Sequence, residues 1–187
     1  MGSTMIELIE FQETDRWTIY DWRNSQAVSQ FMFTSDPIPK DTHDRWFSSM
    51  MTDPRRRGWT IAMDATKVGA AFLSDIDFIN SRASWAFYLA DEQTRGKGIG
   101  SAVEYLVLEH VFNDLELHKL TCQVLSLNPA VRAMHMQFGF LDEGTLREHY
   151  FRNRSWIDVH LLAMFRSAWI DSRVRHLARL KRRGLVM

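Results

Sequence analysis

The spacing of apolar residues changes several times along the chain, and each change marks an element. After a short flexible leader over Met1–Thr4, residues 5–11 (MIELIEF) read as an opening strand. Apolar positions then fall three apart, Trp17 with Tyr20 and Ile19 with Trp22, which predicts a helix with Thr14 as its N-cap. A short second helix is expected over Gln26–Met32. Two prolines make Phe33–Pro39 a loop, and Asp41 or Thr42 is expected to cap a third helix through Trp46, Phe47 and Met50. Strand patterns follow at Trp59–Met63, Lys67–Phe78 and Ala83–Ala90, with turns at 64–66 and 80–82. At Ile99, Val103, Leu106, Val107, His110 and Val111 the period becomes helical for about four turns. A strand over Leu117–Leu127 and a helix over Pro129–Phe138 come next. A strand pair over Phe140–Phe151 and Trp156–Phe165 closes the series. The fold class is therefore mixed α/β or α+β, built on a mostly antiparallel sheet of about seven strands with helices on both faces.

Composition narrows the function without naming it. The 187 residues fit one domain with a real core, and 45% hydrophobic with 25% charged residues is an ordinary globular balance. Formal net charge is zero, so no global field steers the chain toward nucleic acid or a membrane. No run approaches the ~18 apolar residues of a membrane span, and the cytoplasm is the expected compartment. Charge is uneven, however: Arg166 to Arg183 holds seven Arg and Lys against one Asp. With Ile170, Val174, Leu177 and Leu180 at helical spacing, residues 167–187 are expected to form a basic amphipathic helix or tail that packs or self-associates. Cys122 is the single cysteine and sits in an apolar strand-like run, which reads as a small buried hydrophobe.

The chemistry begins at Arg95-Gly96-Lys97-Gly98-Ile99-Gly100-Ser101, between the strand ending near Ala90 and an amphipathic helix. A glycine-rich turn at a helix N-terminus presents backbone N–H groups at the positive end of the helix dipole, which makes an anion site. A P-loop would need Ser or Thr directly after Gly-Lys, where Gly98 stands. A dinucleotide fingerprint would need a third glycine where Ser101 stands and a parallel βαβ unit in place of the three hairpin-like strands. A coenzyme A pyrophosphate site fits.

Arg95-x-x-Gly98-x-Gly100 resembles the acetyl-CoA signature of the GCN5-related N-acetyltransferases. Asn128-Pro129 opening a helix that ends in Phe138-Gly139-Phe140 resembles their second signature. The resemblance covers residues 5–166 and implies acetyl-CoA as cosubstrate, no metal, and a V-shaped split between the strands ending near Ala90 and Ser126. It implies that backbone groups at Tyr88, Leu89 and Ala90 hold the pantetheine arm and polarise the thioester. Residues 95–101 would hold the pyrophosphate, with Asn128 also in the cofactor site. The amine attacks directly in this family.

Many members place Tyr where His135 stands, to protonate the leaving sulfur. Seven residues after Asn128, His135 falls on the same helix face, about 20° away, so it is the expected acid. Asp75 or Asp77, on the strand before the split, is the expected base. Trp22-Arg23-Asn24, Phe31-Met32-Phe33, His43 and Trp46-Phe47, with Trp85 to Tyr88 and Arg147 to Asn153, resemble one subgroup, the pseudaminic-acid pathway acetyltransferases. That likeness implies a small-molecule amine, the 4-amino group of a UDP-4-amino-4,6-dideoxy sugar, with Arg23, Met32 and His43 binding it and Arg23 on the diphosphate. The alternatives are a protein N-terminal or small-amine acetyltransferase, and an acetyl-CoA-binding sensor without turnover. A homo-oligomer is possible.

Overall fold

The structure is a computed structural model that describes residues 2–94 and 96–187, so Arg95 lies outside the described residues. In chain order it contains β1 (Thr4–Glu10), α1 (Arg16–Asn24), α2 (Gln26–Ser29), α3 (Lys40–Thr52), β2 (Arg57–Met63), β3 (Thr66–Asp77) and β4 (Arg82–Leu89). Then come α4 (Ile99–Glu109), β5 (Lys119–Leu125), α5 (Pro129–Phe138), β6 (Leu141–Arg152), β7 (Ser155–Phe165), α6 (Arg166–Arg182) and β8 (Leu185–Val186). The described strands form one eight-stranded sheet in the order β6-β7-β5-β4-β3-β2-β1-β8. The β4/β5 and β1/β8 pairs are parallel and the others antiparallel.

Alternation along β3 and β4 sends their buried residues into two separate clusters. Trp85 of β4 and Ala71 and Leu73 of β3 face a large cluster with Val103, Leu108, Phe138 and Trp169, which puts α4, α5 and α6 on one face. Phe87 packs on the same side, stacked on Trp85 at 5.3 Å. Tyr88 and Ala70 point the other way, into a second cluster with Phe11, Ile19, Val28, Phe47 and Met50, so α1, α2 and α3 cover the opposite face. Where β3 crosses β4 the backbones come close: a Cβ on Gly69 would lie 2.2 Å from the Tyr88 carbonyl oxygen.

Several local expectations change. Thr14 lies in a short 3-10 turn, and the reciprocal cap is made by Gln12 and Asp15 instead. Pro39, not Asp41 or Thr42, stands at the N-cap of α3, its fixed φ giving the extended entry. The second helix stops at Ser29, short of Met32. The sheet has an eighth strand because the chain end folds back: Leu185 and Val186 pair with Thr4 and Met5. Trp169 of α6 is fully buried and Leu185 joins the core, so the C-terminal segment packs as part of the body. The leader shrinks accordingly, since Thr4 already belongs to β1.

Candidate active site

Parallel pairing of β4 with β5 covers only Arg82↔Lys119, Ala83↔Leu120 and Ser84↔Thr121. A hydrogen bond of 2.9 Å between the Ser84 and Thr121 hydroxyls marks the vertex. Beyond it, Trp85–Leu89 and Cys122–Leu125 run on without pairing to each other, opening the expected split. Ala90 N–H donates to the Val68 carbonyl at 2.8 Å, so it is occupied within the sheet and does not face the split. Strand alternation then turns the N–H groups of Phe87 and Leu89 into the opening, rather than those of Tyr88 and Ala90.

A cavity of about 550 Å³ passes through this opening. Its walls include Arg23, Met32, Trp46, Phe72 and Tyr88 from the α1–α3 face, and Trp85, Asn128, Val131 and His135 from the α5 face. Among the described lining residues there is no Asp or Glu. Four buried polar atoms near it have no hydrogen-bond partner: Arg23 Nη1, Trp85 Nε1, Tyr88 OH and Glu104 Oε2. Burial raises the Tyr88 phenol, which therefore stays a hydroxyl donor, and lowers the Arg23 guanidinium, which still holds its charge.

His135, 3% exposed, sits with Nδ1 2.8 Å from Oε1 of the wholly buried Glu104 on α4. Burial works against an imidazolium there. The Glu104 carboxylate, its hydrogen bond and the neighbouring Cys122 sulfur outweigh it and lift His135 to about 10. Burial also raises Glu104, against the pull of His135. Both shifts favour a proton kept on the dyad, and they move His135 toward its charged, donating form and away from the partly charged imidazole of an ordinary titration near 6.5. Cys122 is buried as expected, but it also lines the cavity beside His135.

Other expected residues divide. Arg23 reaches the cavity, its Nη2 held by the Thr34 carbonyl at 2.9 Å and Nη1 left free. Met32 lines the wall. His43 also borders the cavity, but its Nε2 is 2.7 Å from the Arg16 carbonyl and its ring packs among Trp17, Tyr20 and Trp46. That is the environment of a satisfied structural histidine. Asn128 Oδ1 accepts from Val131 N–H at 3.4 Å, capping α5. Asp75 and Asp77 stand away from the cavity. A bulge between Ser74 and Asp77, with Asp75 at φ 52°, breaks the alternation that would have put them on one face. Asp77 is occupied by Asn80 and Arg82 at the vertex end. Neither can serve as base from there. Glu104 went unnoticed in the sequence; a carboxylate between Val103 and Tyr105 on an apolar helix was the available signal.

The glycine loop fits a pyrophosphate. Gly96 and Gly98 hold φ of 75° and 84°, and a Cβ on Gly96 would meet nothing within 4 Å. No side chain caps α4, which leaves the N–H groups of its first turn for an anion. Gly100 brings that turn against the split, since its Cβ would lie 3.3 Å from Met134 Sδ and 3.4 Å from Phe87 Cζ. Ile99 is buried in the core while Lys97 is exposed beside the loop and Ser101 half-buried.

A family model described as an acetyltransferase (GNAT) domain matches residues 6–141. The chain belongs to the GNAT acetyltransferases. It is an acetyl-CoA-dependent N-acetyltransferase acting on an amine. One relative is the spermidine N(1)-acetyltransferase of Vibrio cholerae serotype O1, 24% identical over 171 residues, covering 90% of this chain and 98% of that one. Another is a putative ribosomal N-acetyltransferase of Bacillus subtilis, 24% identical over 172 residues, covering 88% and 92%. A solved spermidine N-acetyltransferase from Vibrio cholerae, in complex with CoA and spermine, shares the GNAT fold with a TM-score of 0.81 at 22% identity, covering 88% of this chain and 98% of that one. These relatives are named for spermidine and ribosomal substrates, and they do not support the expected pseudaminic-acid subgroup or its UDP-amino sugar. No helix among the described residues is long and apolar enough to cross a membrane.

Proposed function

We propose that this GNAT enzyme acetylates, in a single step, the primary amine of an acceptor with an apolar body and an oxygen-rich or anionic group. The carrying observation is the charge of the cavity: Arg23 and the His135 imidazolium line it, and no described carboxylate does. Two cations near an amine lower its pKa, so the acceptor enters as free base and needs no carboxylate to deprotonate it. Arg23 Nη1 and Tyr88 OH, buried and unpartnered, offer a phosphate or carboxylate two donors. Aromatic and methionine side chains enclose the rest.

Bound acetyl-CoA supplies the thioester, whose C–S bond breaks as the amine forms the C–N bond. Phe87 and Leu89 N–H groups face the split, where they can polarise the thioester oxygen. His135 gives its proton to the departing sulfur and is recharged from water, while the surplus proton of the acylated nitrogen leaves to water. Glu104 keeps His135 charged and oriented without touching either substrate.

A polyamine is the second reading, favoured by the spermidine enzymes among the relatives. Its several charges would have to enter beside two cations with no described carboxylate in the wall, which low-dielectric electrostatics opposes. The dodecameric state of a Vibrio cholerae relative supports homo-oligomerisation as part of the proposal. A CoA-thiol release assay over spermidine, spermine, a peptide N-terminus, small amino acids and a UDP-4-amino sugar tests the acceptor class. Anionic acceptors should exceed spermidine, and Arg23→Ala should raise their KM about 10-fold or more while leaving the KM for acetyl-CoA unchanged. Spermidine as the best acceptor, indifferent to Arg23, would overturn it.

A further inference from the structure

We propose that Arg183, beyond α6, is a phosphate-binding residue of the acetyl-CoA site, so that the C-terminal segment completes the cofactor loop. The loop and the chain end are 85 positions apart in sequence, yet a Cβ on Gly98 would lie 3.1 Å from Arg183 Nη1 and 3.2 Å from Leu185 Cδ1. Three devices fix the backbone of the exposed Arg183 there. Its N–H caps the Leu180 carbonyl at 2.9 Å, and Gly184 turns the chain with φ 75°. Thr4 N–H then donates to the Gly184 carbonyl at 2.8 Å, and β8 continues parallel to β1 with Leu185 buried in the core.

The charges at this helix start suit an anion. Cations are favoured at helix C-termini, but this guanidinium stands at the positive, uncapped N-terminus of α4, with Lys97 in the same loop. No ion pair among the described residues engages Arg183. An anion seated on the first-turn N–H groups would answer the dipole and the guanidinium together, and guanidinium can bind two phosphate oxygens where an ammonium cannot copy the fork. The pyrophosphate of acetyl-CoA is that anion. Because β8 holds Arg183 in place, cofactor binding and docking of the C-terminus are linked and must strengthen each other reciprocally.

Calorimetric titration of CoA, dephospho-CoA and acetyl-pantetheine into the full chain and its Arg183→Ala, Arg183→Lys and Arg182→Ala variants tests this. Arg183→Ala should bind CoA and dephospho-CoA about 5- to 30-fold more weakly, with Arg183→Lys between and Arg182→Ala at wild-type affinity. Acetyl-pantetheine, which has no pyrophosphate, should bind all four alike. CoA should also slow amide exchange at Leu185 and Val186 more in the wild type than in Arg183→Ala. Wild-type CoA affinity in Arg183→Ala would overturn the proposal. An equal loss toward acetyl-pantetheine would overturn it too, because the residue would then act only through packing.

Discussion

His135 Nδ1 and Glu104 Oε1 stand 2.8 Å apart inside the protein. Because the carboxylate lifts His135 to about 10, the proposed acid stays charged across the neutral range, and the alkaline fall of kcat/KM should lie near 10. Glu104→Gln removes the attraction and leaves the burial, which lowers an imidazole, so the same limb should move below the ordinary 6.5. At pH 8 that variant should lose roughly 10²–10⁴-fold in kcat, with little change in CoA affinity. A pH–rate profile of both proteins checks it; an unmoved limb would exclude His135 as the donor. His135→Ala is a poorer probe. It strands a buried carboxylate whose Oε2 already lacks a partner, which costs about 3–5 kcal/mol of stability. Such a loss would be read as a lower Tm in scanning calorimetry, where Glu104→Gln should shift less.

At the scale of elements, the site is made by what β4 and β5 do not do: after Ser84 and Thr121 they stop pairing. The uncapped start of α4 supplies the other half. Gly98→Asp should abolish CoA binding, because its carboxylate would take the anion position and pair with Arg183. The left-handed φ of 84° adds strain of about 1–2 kcal/mol, small against a fold worth about 5–15, so the protein should stay folded. Circular dichroism with a CoA titration checks both parts; undiminished affinity in the folded variant would remove the loop from the site. This element was readable in the sequence because glycine spacing and a change of period are local signals. The strand series and the helix from Pro129 to Phe138 were readable for the same reason. Asp75 and Asp77 do not share a face because a bulge intervenes, and His43 borders the cavity with a ring nitrogen on a carbonyl 27 residues away, neither of which a local pattern shows. Glu104 and the β8 pairing depend on contacts across 31 and about 180 positions, which no local pattern carries.

The whole molecule uses its sheet as a partition. Helices α1 to α3 cover one face with an aromatic cluster, α4 to α6 cover the other, and residues of both faces line the cavity at the split. The β6–β7 hairpin reaches over to the segment that follows α2. Arg152 donates to the carbonyls of Gln30 and Ser29, both at 2.8 Å, and Tyr150 stacks on Phe33 at 5.1 Å. A cavity lined from both faces has room for cofactor and amine together, which is what direct transfer requires. Cys122 lines the same cavity beside His135, so a two-step route through an acetylated thiol is the physical rival. Initial velocities over a grid of acetyl-CoA and acceptor concentrations separate the two most directly, with a mass spectrum of enzyme incubated with acetyl-CoA alone. Direct transfer predicts intersecting reciprocal plots and an unmodified protein; parallel plots with an acetyl group on Cys122 would contradict it.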